Sequence, residues 1–377
     1  MIPLTSVLSH KGRGSRNPNL DDTLGLEVKE LLNSSLENPA MWQLYGQDHI
    51  LKQLRPSLEQ GRLAHAYLLV GPPHIGKMSL AIHLAQSVNC LEGSVAPCGA
   101  CGQCERIVRG QHADVRIATV FQPEDSRVTR TVIGIDDVKE ALHQANLKPY
   151  EGSCSVLIFD GVESMSEEAA NALLKTLEEP PPQVLILLLT ANEAALLSTI
   201  RSRCRRLDLR PVPKQQLAER LVADHNAEPE LAERLARLSR GCPGWAISAL
   251  ADPQILEERD DQLAQVQEVG QANLEGRFAF ASDLAARFGR DRESSRQTLF
   301  LWLRWWRDLL LVKEGAEEYV NNQEQLSQLR LQAANLTGPQ VVSFIRALVE
   351  TLEALDDNAN PRLALEVLML SLPAPVS

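Results

Sequence analysis

The chain has 377 residues, room for roughly two or three domains with buried cores, and 49 acidic against 38 basic residues give a net charge of −11. That balance excludes a global field pulling the protein onto nucleic acid, no apolar run approaches the ~18 residues of a membrane span, and the N-terminus has no apolar stretch long enough for the core of a secretory signal, so a cytoplasmic location is expected. Seven cysteines in a reducing compartment point to metal or chemistry rather than disulfides.

Residues 1–40 are rich in Ser, Asn, Gly and Asp without sustained apolar periodicity, which predicts a flexible N-terminal extension with at most one short helix over "LGLEVKELLNSSL". Amphipathic order begins after Met41 at "WQLYGQDHILKQL", so the ordered chain, and as a hypothesis its translational start, falls there. From "AHAYLLV" onward, short apolar runs ("VRIATV", "SVLIFD", "VLILLLT") alternate with amphipathic stretches. This is the signature of buried parallel strands with crossover helices, and it predicts an α/β domain over 41–210. "RPVPK" breaks the pattern, 211–253 reads as a small helical unit closing at "RGCPGW", and 254–377 as an all-helical domain whose most apolar helix is "TLFLWLRWWRDLLLVKEG".

Gly71 to Lys77 in "GPPHIGKMS" fits G-x-x-x-x-G-K directly between a strand and a helix. Glycines at Gly71 and Gly76 let successive N–H groups turn inward as an anion nest at a helix N-terminus, and Lys77 supplies the cation for outer phosphates. Met78 stands where a magnesium-binding hydroxyl belongs. Ser79 is one residue late, turned about 100° around the helix. Asp160 ends the strand "VLIF" as a second nucleotide-site carboxylate should, but the next residue, where a water-activating glutamate is expected, is Gly161; Glu163 follows two positions on. Both departures argue for phosphate binding without hydrolysis, and ATP binding itself stays open. In "SMSEEAANALLKTLEEPPP", Ser164 and Glu167 have capping-box spacing, and Ala170, Leu173, Leu174 and Leu177 share one helical face stopped by prolines.

Cys90, Cys98, Cys101 and Cys104 lie within fifteen residues as two C-x-x-C steps sharing a cysteine, with glycines that free the backbone to curl. Four thiolates converging tetrahedrally make structural zinc the expected occupant; an iron–sulfur run would need a further cysteine after Cys104, and a redox pair suits four cysteines poorly. Cys154, Cys204 and Cys242 are scattered and read as packing residues.

The segments "AHAYLLVGPPHIGK", "AANALLKTLEEPP" and "TIRSRC", in that order, resemble the clamp-loader branch of the AAA+ ATPases over residues 42–250. The four-cysteine insertion is similar to that of the bacterial clamp-loader subunits, of gamma/tau and delta-prime types. The resemblance implies an AAA+ α/β module with an inserted zinc module at 90–104, a helical lid over 211–253 and a C-terminal collar over 254–377. Met78, Gly161 and Gly244, the last where a second-sensor arginine would stand, point to the hydrolysis-inactive delta-prime type rather than an ATP-hydrolysing gamma/tau subunit. It further implies that Arg203 in "SRC" acts as an arginine finger for a neighbouring subunit's ATP, although "RSRCRR" by itself reads as a solvated run or one paired with acids. Thr190 matches a first-sensor position and serves as well as a capping hydroxyl. Implied partners are gamma/tau ATPase subunits, the delta subunit and, through the assembly, the sliding clamp and primed DNA. An active gamma/tau-like ATPase and a zinc-dependent nucleic-acid-binding module are the alternatives.

Overall fold

The structure, a computed structural model, describes residues 42, 44–93, 95–119 and 132–373. The N-terminal extension and its short helix therefore lie outside the described residues. Among these residues no helix is long and apolar enough to cross a membrane.

The first module runs α1 (Asp48–Glu59), β1 (Ala66–Val70), α2 (Lys77–Asn89), α3 (Gly102–Val108), β2 (Val115–Thr119), α4 (Ile135–Ala145), β3 (Ser155–Asp160), α5 (Glu167–Glu178), β4 (Val184–Thr190), the single turn α6 (Ser198–Arg201) and β5 (Arg205–Asp208). All strands are parallel in the order β2-β3-β4-β1-β5. The four apolar runs become strands because both faces of the sheet are covered. Tyr67, Leu69, Val156, Ile158, Leu187 and Leu189 pack on one side with α1 and α2. Leu68, Leu157, Phe159, Ile186 and Leu188 pack on the other with α4 and α5.

One strand was not foreseen, and one local expectation fails. The fifth strand, Arg205–Asp208, hides in "RSRCRR": it forms because Tyr67–Val70 offers a free edge, and the exposed Arg205 and Arg206 suit an edge strand by discouraging further pairing. The helix after β3 is capped not by Ser164 but by Ser166, whose Oγ accepts from the Ala169 amide at 3.1 Å. Ser164 instead closes a 3₁₀ turn, and its carbonyl accepts from Ile133 at 3.1 Å, so its backbone is already committed. The expected apolar face of this helix does form, with Ala170, Leu173 and Leu177 buried and Leu174 half-buried.

The chain continues through α7 (Lys214–His225), α8 (Pro229–Leu238) and α9 (Pro243–Ala251), which share a small core around Leu217, Leu221, Leu235 and Ile247. It then enters α10 (Gln254–Gln271), α11 (Leu274–Phe288), α12 (Arg292–Lys313), α13 (Leu326–Ala334), α14 (Gly338–Asp356) and α15 (Pro361–Ser371). The apolar helix of the sequence is α12, and Trp302, Trp305 and Trp306 are fully buried there, the Trp306 ring 4.4 Å from that of Phe344.

Candidate functional site

Parallel order with β1 between β4 and β5 brings the carboxyl ends of β1, β3 and β4 side by side, the usual place for a ligand in an open α/β sheet. Gly71, Asp160 and Thr190 all sit at that edge. A Cβ at Gly71 would come within 3.0 Å of the Leu209 carbonyl, and Gly76 takes φ +102, so both positions favour glycine. His74, with φ +61, holds a left-handed conformation within the same loop without being glycine.

Lys77 folds back on this loop. Its Nζ donates to the carbonyls of Gly71 at 2.7 Å and Pro72 at 2.9 Å. Burial lowers its pKa, against the opposing pull of Asp160 and Glu163; burial likewise pushes the Asp160 carboxyl up to about 6, with Lys77 opposing. Met78 packs against the apolar core beneath the sheet. Gly161 adopts φ +78, a conformation in which glutamate would be strained, so the turn after β3 as built favours glycine. Glu163 does share the electrostatic neighbourhood of Lys77 and Asp160, closer than its position in the sequence suggests, but its Oε1 accepts from the Ala191 amide at 3.0 Å while Oε2 is buried without a partner. Thr190 is fully buried, and its Oγ1 accepts from the Asn192 amide at 3.0 Å, which makes it a turn-closing hydroxyl in this conformation. Ser79 is half-buried one position further along α2.

The first turn of α9 lies directly on the phosphate loop. The Gly244 amide donates to the His74 carbonyl at 2.9 Å, and a Cβ on Gly244 would stand 2.9 Å from that oxygen. No side chain fits at this position without moving the loop.

Arg203 follows α6. Its Nη2 pairs with Glu178 at 2.6 Å and its Nη1 donates to the Thr199 carbonyl at 2.9 Å, with the side chain still about one-third exposed. The exposed Arg206 is engaged by Glu193 and Asp208. Arg203 is thus already held in one conformation, through a half-exposed pair of the sort that exchanges partners at small cost.

The sulfur atoms of Cys90, Cys98, Cys101 and Cys104 lie within 4.8 Å of one another. Tetrahedral thiolates at about 2.3 Å from a zinc ion stand about 3.8 Å apart, so the cluster fits a four-coordinate metal with modest contraction. Backbone amides already point at sulfur, Cys98 N at Cys90 Sγ (3.5 Å) and Cys101 N at Cys98 Sγ (3.3 Å), and Gly99 at φ +71 makes the turn. This module is bolted to the sheet by polar residues that the sequence reading missed. Asn89 Oδ1 accepts from the Ser153 and Cys154 amides at 2.8 and 2.9 Å. Asp114 accepts from the amides of Tyr150, Glu151 and Gly152 at 2.7 to 2.9 Å; burial disfavours its charge, but these donors outweigh burial and hold the carboxyl below its ordinary range. Arg106 adds an ion pair to Glu151 at 2.8 Å. Gln47, also missed and fully buried, clips the start of the module to its end by gripping both the N–H and the carbonyl of Arg210.

A phosphate loop, an acidic strand end, an inserted four-cysteine module, and a helical unit seated on the loop define an AAA+-type module followed by a helical region. A family model described as DNA polymerase III, delta subunit, matches residues 46–213. The "DNA polymerase III subunit delta'" of Bacillus subtilis is 29% identical over 86% of this chain and 96% of its own length. The "DNA polymerase III subunit tau" of Escherichia coli is 34% identical over 64% of this chain, a match that spans only 40% of that protein. Among solved structures, a gamma-subunit-related protein of Thermotoga maritima is matched over 85% of this chain and 97% of its own, at 19% identity and TM-score 0.41. The RuvB branch-migration motor of the same organism is matched over 62% and 67%, at 20% identity and TM-score 0.39. These matches support membership of the clamp-loader family of DNA polymerase III subunits.

Proposed function

We propose that the chain is a delta-prime-type clamp-loader subunit that does not turn over ATP itself and completes the ATP site of a neighbouring gamma/tau subunit through Arg203. The observation that carries this reading is the seat of Gly244 on His74: a sensor arginine has no room where the lid meets the loop. Met78 packed against the core and Gly161 at φ +78 support it, because they remove the metal hydroxyl and the water-activating carboxylate from the same site. In this reading Gly71, Gly76, Lys77, Ser79, Asp160 and Thr190 form a degenerate nucleotide site, and Lys77 meets the loop's own carbonyls where it would meet phosphate.

The cysteine cluster is assigned to structural zinc, which, when bound, fixes the fold of residues 90–104 and takes no part in turnover. Residues 41–210, 211–253 and 254–377 act as module, lid and collar, and the subunit works in the cytoplasm beside the delta subunit and the gamma/tau subunits in opening the sliding clamp for primed DNA. A guanidinium supplied in trans neutralises charge developing on the transferred phosphoryl group, worth on the order of 10³ or more in rate. The test is clamp- and primed-DNA-stimulated ATP hydrolysis by the reconstituted loader, with Arg203→Ala in this chain alone. A large loss with assembly intact is expected; unchanged turnover refutes the finger.

A second reading, an active gamma/tau-type ATPase, has one observation in its favour: the unpartnered Glu163 Oε2 lies in the field of Asp160 and Lys77. ATP turnover by the isolated chain, abolished in Glu163→Gln, would establish it.

A further inference from the structure

Where α8, α10 and α12 meet the turns around residues 239–242 and 321–324, arginines outnumber acids. Arg234 pairs with Asp260 at 3.1 Å and Arg237 with Glu324; Arg259 pairs with Asp260 at 3.3 Å, and Arg307 with Asp308 at 3.0 Å. Asp308, fully buried, spends its other oxygen on the amides of Asn321 and Asn322 and on the Asn322 side chain. These contacts engage Asp260, Glu324 and Asp308. Two more arginines, Arg240 and Arg304, have no ion pair or side-chain hydrogen bond among the described residues, and Arg304 Nε is buried without an acceptor.

The two unpaired arginines belong to one electrostatic neighbourhood. Burial first, then the nearby charges of Arg240 and Arg259, bring the Arg304 pKa down to about 10, with Cys242 opposing. A half-buried guanidinium whose Nε has no acceptor, in the field of two other cations, is unfavourable as it stands. The turn that presents Arg240 is also constrained. Arg240 takes φ +55, which costs a non-glycine residue on the order of 1 kcal/mol, and Gly241 at φ +80 is wedged so that a Cβ would come within 2.4 Å of the Val212 carbonyl. Backbone strain and uncompensated charge coincide at one place, outside the nucleotide site.

We propose that Arg240 and Arg304 form a binding site for a dianionic phosphate group at the junction of the lid with the C-terminal helical region. Guanidinium forks match the oxygens of phosphate in pairs, Arg240 is exposed and gives access from solvent, and two unpaired cations match a dianion better than the single charge of a nucleic-acid phosphodiester. An anion there would link the turn at 240, which leads through Cys242 into the Gly244 contact, to helix α12.

The experiment is titration of the full chain with sodium phosphate by calorimetry at constant ionic strength, with chloride as the reference salt. Saturable binding is expected in the wild type and in Lys77→Ala, weakened by about tenfold or more in Arg240→Ala and in Arg304→Gln. Arg304→Lys, which keeps a cation without the fork, guards against a folding defect: it should stay folded by circular dichroism and still bind more weakly than the wild type. A single-stranded oligonucleotide at equal phosphate concentration should not displace the ion. Non-saturable titration, unchanged affinity in the folded Arg304 variants, loss of binding in Lys77→Ala (which would put the ion in the phosphate loop), or displacement by the oligonucleotide would each overturn the assignment.

Discussion

Replacing Gly244 by alanine tests whether the lid is latched to the phosphate loop. Glycine at the start of a helix is ordinarily a weak choice, and an unconstrained Gly→Ala change there would stabilise the protein by up to about 1 kcal/mol. Here the new Cβ would stand 2.9 Å from the His74 carbonyl oxygen and 3.4 Å from its Cα. The obstacle is backbone, and the loop residue that must yield already holds φ +61. Moving it forfeits the 2.9 Å hydrogen bond from Gly244, about 1 kcal/mol, and adds overpacking of about 1–3 kcal/mol. After the propensity gain the expected net loss is about 1–3 kcal/mol, opposite in sign to the unconstrained case. Urea denaturation of Gly244→Ala measures that loss, and hydrogen exchange should report weaker protection of the Gly244 amide and of residues 71–77. A variant as stable as the wild type, or more so, with unchanged exchange would mean that lid and loop are not latched.

Freshly purified protein should carry about one zinc per chain by colorimetric release. Chelation should then raise hydrogen exchange around residues 86–112 and 150–154, which Asn89, Asp114 and Arg106 tie together; protein purified without metal would end the assignment. His83 is buried on α2, its ring 5.8 Å from that of Trp42, and burial drops its pKa to about 4. The unfolded chain takes up this proton near pH 6.5 and the folded one only near 4. Stability should therefore fall as pH drops through that interval, by up to about 3 kcal/mol. Asp160, raised to about 6, works the other way, since the folded state holds its proton up to higher pH, so the readout is the difference between wild type and His83→Gln. A difference independent of pH between 6.5 and 4 would show that His83 titrates normally.

Much of the site is local chemistry and was therefore legible in the amino-acid order. A strand, a glycine-bounded loop and a helix in immediate succession define the phosphate loop, and four cysteines within fifteen residues can converge on one point whatever surrounds them. The four apolar runs become strands because unbroken hydrophobicity satisfies a sheet covered on both faces. Other features depended on groups distant along the chain. "RRLD" carries no strand signal of its own and pairs only because β1 presents an open edge. Ser164 has the spacing of a cap, yet its backbone was already bound to Ile133, and the cap passed to Ser166. Asn89, Asp114 and Gln47 look like ordinary polar residues until the fold brings backbone amides to them from tens of residues away. Sequence could say that Gly244 lacks a side chain; only the tertiary contact with His74 gives the reason, which is that a carbonyl oxygen fills the space. Spacing along the chain fixes which groups can meet within a turn or two, whereas the packing of separate elements decides which charges find partners and which, such as Arg304, do not.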